Sequence, residues 1–168
     1  MSEFHQPNRN ISKKYLSELR VHVKNLVRPE DFPDPKITDP QKFYLNFKNL
    51  ITPFVNTETE HLKNNLTKTG KCHLLLLKNT ALIDTVLQAA FNAAIWLYNQ
   101  TQQKQLLAKN APIAIIARGG YGREEVYFQS DITVQIVSKS ALEDHEVEQA
   151  EQIVKHLEYI FFHQDIFQ

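Results

Sequence analysis

The sequence predicts an α+β protein: a helical region over residues 1–108, then a small sheet flanked by helices over residues 109–168. Three observations carry that expectation. Apolar residues recur at spacings of three and four through much of the first hundred positions, the period of one face of a helix. Two β-rich runs, Ile113 to Ala117 and Ile132 to Val137, lie close together in the last third. Between them sit three of the four glycines, Gly119, Gly120 and Gly122.

Met1 to Asn10 is polar and reads as a frayed end. From Ile11 to Val27, the residues Tyr15, Leu19, Val23 and Leu26 line one helical face, with Ser12 as an N-cap. Pro29, Pro33, Pro35 and Pro40 rule out a continuous helix after Val27, and Arg28 to Thr38 reads as an extended connector. A second helix starts at Asp39-Pro40, a cap acceptor followed by a proline at the first helical position. Its face carries Phe43, Phe47 and Leu50, flanked by Tyr44 and Ile51, and Pro53 is expected to end or kink it. Asn56 to Thr69 is polar enough to predict only a short surface helix stopped by Gly70.

Asn79 to Gln103 is the most regular helix in the first half, with Ile83, Leu87, Ala90, Ala94 and Leu97 in register. Its alanines predict close packing against another helix. Cys72 to Lys78 fits either a short strand or the first turns of this helix. Ala108 to Ala111 reads as a loop and Glu124 to Gln129 as an irregular turn. Leu142 to Phe162 is a long amphipathic helix with Val147, Ala150, Val154, Leu157 and Phe161 as its stripe, and Glu143, Asp144 and Glu146 suit its first turn. Two strands alone make a marginal sheet. The count is completed by Cys72 to Leu77, by pairing with a partner, or by further chain, the last being simplest.

The 19 basic and 19 acidic residues cancel, so no global field favours nucleic acid or an anionic membrane, and no basic patch stands out. Runs such as Leu74 to Leu77 are too short to span a bilayer. Cys72 is the only cysteine and no apolar leader is evident, which predicts a cytoplasmic protein. Cys72 itself is expected to be a small, buried or half-buried apolar residue. His156 and His163, with Asp165 nearby, lack the spacing of metal pairs on a helix and are expected on a polar face. Ser130 has no histidine at a spacing that suggests a nucleophilic triad.

The stretch Ile113 to Val137 concentrates the chemistry. Gly119, Gly120 and Gly122 allow a turn in which backbone N–H groups converge on an anion. Arg118 and Arg123 bracket it, and guanidinium forks suit phosphate. Asp131, at the edge of the next strand, is placed to hold a divalent cation that also touches phosphate oxygens. The pattern is neither a P-loop nor the dinucleotide fingerprint.

Gly119-Gly120-Tyr121-Gly122-Arg123-x-Glu125, followed by Ser130-Asp131-Ile132-Thr133, resembles the GGYGRGE…SDxD signature of the bacterial PII-protein uridylyltransferases and related nucleotidyltransferases of the polymerase-β superfamily. The likeness is sharp over Ile113 to Val137 and diffuse over the helices to either side. It implies a partial polymerase-β-like core, residues 109–168, after an N-terminal helical region. It implies that Gly119 and Gly120 cradle the phosphates of UTP or ATP, that Arg123 assists them, that Glu125 fixes the loop as an ion pair with Arg123, and that Asp131 binds Mg²⁺. The implied reaction is transfer of UMP from UTP to a protein hydroxyl, with a PII-like signalling protein as acceptor.

Thr133 stands where the signature carries its second metal-binding Asp. Glu124 or Glu125 would have to compensate, and the third carboxylate of the family has only Glu158 and Asp165 as late candidates. The expectation is a degenerate or truncated domain, with a non-catalytic nucleotide- or protein-binding module as the alternative, no nucleic-acid or membrane partner, and self-association through the incomplete sheet.

Overall fold

The computed structural model describes residues 7–28, 32, 39–162 and 166–167, and within them the chain is a mostly helical α+β protein with one two-stranded antiparallel sheet. The connector at 29–38, apart from Phe32, and the residues His163 and Asp165 lie outside the described residues, as does most of the N-terminal stretch 1–10.

Helix α1, Pro7–Leu26, begins a turn earlier than its apolar stripe suggests, which places Ser12 inside the helix rather than at its cap. Leu19 and Val23 are buried and Tyr15 and Leu26 are half-buried, as the periodicity requires. Helix α2, Pro40–Thr69, is capped as expected: Asp39 accepts from the Gln41 amide at 3.0 Å, and Gly70 closes the other end in the left-handed region with its N–H on the Leu66 carbonyl.

Pro53 neither ends α2 nor confines its second half to the surface. Proline deprives the helix of one N–H, but Pro53 and Asn49, four residues before it, are both exposed, so the missing bond falls on the solvent side of the helix. The inward face runs on through Ile51, Phe54, Val55 and Leu62. Leu50, expected at the centre of that face, is 36% exposed, while the flanking Tyr44 and Ile51 are buried.

Cys72–Gln102 is one continuous helix, α3, so Cys72 to Leu77 adds helical turns and no third strand. Cys72 sits exposed at its start, contrary to the expectation of a covered thiol. Ile83, Leu87, Ala90, Ala94 and Leu97 are all buried, and α1, α2 and α5 pack around them. By length and composition α3 passes for a membrane span, yet 67% of its most apolar window is buried inside the protein, as in a central core helix.

Strand β1, Ile113–Ala117, pairs antiparallel with β2, Val134–Ser138, Ile115 lying opposite Ile136. The one-turn helix α4, Gly119–Gly122, follows β1 directly. Ile132, expected as strand, precedes the ladder but still packs on the core with Val134 and Ile136. Helix α5, Asp144–Leu157, opens with a capping box in which Glu143 and Glu146 satisfy each other's backbone N–H groups, and it ends in a wider turn over Glu158–Phe162. Val147 of the expected stripe is 41% exposed, whereas Ile153 and Ile160 are fully buried.

Candidate functional site

The glycine turn is built by two constraints of different kinds. Gly119 takes φ 57°, the left-handed conformation that side chains resist, and reverses the chain as it leaves β1. Gly122 is confined by space: a Cβ there would lie 2.7 Å from the Ala117 carbonyl oxygen. Gly120 is under neither constraint, since the nearest atom to a Cβ at that position is the Glu125 carbonyl oxygen at 3.8 Å. Its own carbonyl accepts from the Arg123 and Glu125 amides at 3.2 and 2.9 Å, which curls the chain into a compact loop.

The loop lies against the start of the second strand segment. The Arg118 amide donates to the Thr133 carbonyl at 2.9 Å, one rung beyond the β1–β2 ladder. The Thr133 side chain faces the turn, its Oγ1 being 3.9 Å from where a Gly119 Cβ would stand. Position 133 therefore belongs to the glycine turn. Asp131 is exposed and has no hydrogen-bond or ion-pair partner among the described residues. Ser130, next to it, closes a small turn: its amide donates to the Tyr127 carbonyl and its Oγ accepts from the Tyr127 amide.

The two arginines are tied by neighbours. Arg118 donates to Gln135 Oε1 of β2 at 2.7 Å. Arg123 Nε lies 2.7 Å from Glu125 Oε2, so the expected ion pair is present, with both side chains more than half exposed. The terminal amino groups of Arg123 stay open to solvent. Glu124 is in the left-handed region at φ 61°, a conformation that costs a non-glycine residue roughly 1–2 kcal/mol.

Tyr121 roots the turn in the helical core, a connection the sequence did not disclose. Its ring is buried and its hydroxyl donates to Asp84 Oδ1 of α3 at 2.5 Å. Burial first, then this hydrogen bond to a carboxylate, pushes the phenol well above the usual tyrosine range, so it stays a donor. Nearby, buried Asn79 of α3 donates to the Val126 carbonyl at 3.0 Å and secures the segment leading to Asp131. An apolar helix stripe gave no signal for either polar residue; Asn79 is buried and Asp84 half-buried.

The donors available to a cation are few. Among the described residues, no three His, Cys, Asp or Glu side chains gather as a metal-ligating group. Asp131 is the one carboxylate of the SDxD stretch, and a single carboxylate does not suit a pair of cations. His156 is buried rather than on a polar face, its Nδ1 2.8 Å from the Tyr44 hydroxyl. Comparisons with protein-family models, curated proteins and solved structures find no match to this chain.

Proposed function

We propose that the glycine turn and Asp131 form a nucleoside-triphosphate site of the nucleotidyltransferase type, on a core descended from the polymerase-β superfamily. The observation that carries the reading is the backbone of the turn. The signature GGYGRGE has glycine at its sixth position; Glu124 occupies that position here and still takes the left-handed φ of 61° that glycine accepts freely. The packing of Thr133 on Gly119 supports the same alignment, because it brings the second metal position of the SDxD element against the turn.

On this reading the turn at Gly119 and Gly120 receives the phosphates, and the open amino groups of Arg123 add charge-assisted hydrogen bonds, held in place by Glu125. Asp131 holds one Mg²⁺, which neutralises phosphate charge when bound. Transfer of UMP from UTP to a protein hydroxyl, such as that of a PII-like protein, is the parent reaction. Thr133 contributes a neutral hydroxyl where the parent has a carboxylate, removing several kcal/mol of transition-state stabilisation from a two-metal mechanism. The domain is therefore a nucleotide binder with little or no turnover.

Calorimetric titration with UTP and ATP, with and without Mg²⁺, tests this directly. Mg²⁺-dependent binding is expected, with Asp131→Ala abolishing the metal dependence and Thr133→Asp tightening it. Absence of binding by both nucleotides overturns the proposal, and an unchanged metal affinity in Thr133→Asp overturns the alignment.

A further inference from the structure

The hydrogen-bond register of the sheet leaves one edge open beside a groove. Arg118 N–H bonds the Thr133 carbonyl and Lys139 N–H bonds the Pro112 carbonyl, which fixes the alternation of the antiparallel ladder. Ala114 and Ile116 therefore spend their backbone groups on β2, while the N–H and C=O groups of Ile113, Ile115 and Ala117 point away from it. Among the described residues, none of those three N–H groups has a partner.

Along that edge runs a cavity of about 650 Å³ between β1, α3 and α1. Its floor is apolar, with Leu87, Phe91 and Ile115. A second cavity of about 470 Å³ continues it between α1 and α3, the two sharing Arg20 and Gln88. The charge around the groove is mainly positive. Arg20, Lys24 and Lys109 line it without an ion-pair partner among the described residues, against Asp84 as the one carboxylate among the described lining residues.

We infer that β1 accepts an acidic, extended peptide segment of a partner protein as an added strand, with main-chain hydrogen bonds to Ile113, Ile115 and Ala117 and carboxylates facing Arg20 and Lys109. Strand addition to an open edge is a general mode of peptide recognition: backbone bonds give affinity and alternate side chains give selectivity. Charge decides the occupant. A second copy joined β1 to β1 would bring its own basic Arg20 and Lys109 to the same seam, a like-charge arrangement that an acidic strand avoids.

The test uses the whole chain and three capped probe peptides: one alternating valine and glutamate, one alternating valine and lysine, and the acidic one N-methylated at alternate residues. Binding is read by fluorescence anisotropy and amide exchange by NMR. In the free protein the Ile113, Ile115 and Ala117 amides are expected to exchange fast and those of Ala114 and Ile116 slowly. The acidic peptide should protect the fast set, its N-methylated form should fail, and the exposed double change Arg20→Glu with Lys109→Glu should weaken binding at least tenfold while the circular dichroism stays unchanged. Equal binding of the lysine peptide, or binding without protection of those three amides, overturns the inference. Protection that rises with protein concentration alone assigns the edge to a second copy and overturns it too. Neither result bears on UTP binding, so the nucleotide reading stands or falls separately.

Discussion

At the scale of single residues, the three glycines of the turn are not equivalent, and their substitution should separate folding from ligand binding. Gly122→Ala places a methyl group 2.7 Å from a backbone oxygen that cannot swing aside, so the turn or the end of β1 must move. A loss of about 1–3 kcal/mol in chemical denaturation is expected, in the range of overpacked sites. Gly120→Ala meets nothing closer than 3.8 Å and should stay within about 0.5 kcal/mol of the parent. It is thus the substitution with which to probe phosphate binding in an intact fold. Glu124→Gly removes the cost of the left-handed side chain but adds chain entropy, so its expected gain is about 1 kcal/mol at most. A loss of stability in that variant would show that the Glu124 side chain makes up for its backbone.

Between elements, one buried polar pair joins α2 to α5. His156 and the Tyr44 hydroxyl share a hydrogen bond of 2.8 Å, and Tyr159 stacks on Tyr44 with ring centroids 5.2 Å apart. Burial, helped by the charge of neighbouring Lys155, pulls the imidazole from its ordinary 6.5 down to about 4. The native state thus favours neutral His156, and the unfolded chain takes up a proton more readily. Its contribution to stability is complete above pH 6.5 and is lost as pH falls towards 4, by roughly 3 kcal/mol in all. Denaturation midpoints measured from pH 7 to pH 4 should fall more steeply for the parent than for His156→Gln; parallel curves would place the acid sensitivity elsewhere. Much of the element order was legible in advance because local chemistry sets it. Asp39-Pro40 and Gly70 are caps by their own geometry, and Ile113 to Ala117 is strand wherever it is covered on one face. The features that stayed hidden depend on neighbours: Pro53 is tolerated because its missing bond faces water, and Cys72 to Lys78 is helical because α3 extends through it. The candidate site divides the same way. The turn itself was legible from its glycines, but the Tyr121–Asp84 bond joins residues 37 apart and no local pattern announces it.

For the whole molecule, the core runs across residue 108, where the helical region is expected to give way to the sheet region. Phe47 of α2, Val86 and Leu97 of α3, Ile113 and Tyr121 of the sheet region and Ile153 of α5 belong to one buried cluster. The α3 helix is its centre, touching α1, α2 and α5, and with 16 of its 31 residues buried it depends on those partners to cover its apolar surface. Unfolding should therefore be cooperative across the boundary. Trp96, the only tryptophan, stacks on Phe43 at 5.4 Å within the helical half. Ile153 is fully buried in the other half. Ile153→Ala should cost about 2–4 kcal/mol as a core truncation and move the Trp96 fluorescence midpoint in denaturant by as much as the far-ultraviolet circular dichroism midpoint. A fluorescence transition that stays in place while the dichroism transition shifts would mean that residues 1–108 fold as a unit of their own, and that the turn is held by a separable domain and not by the core it shares with α3.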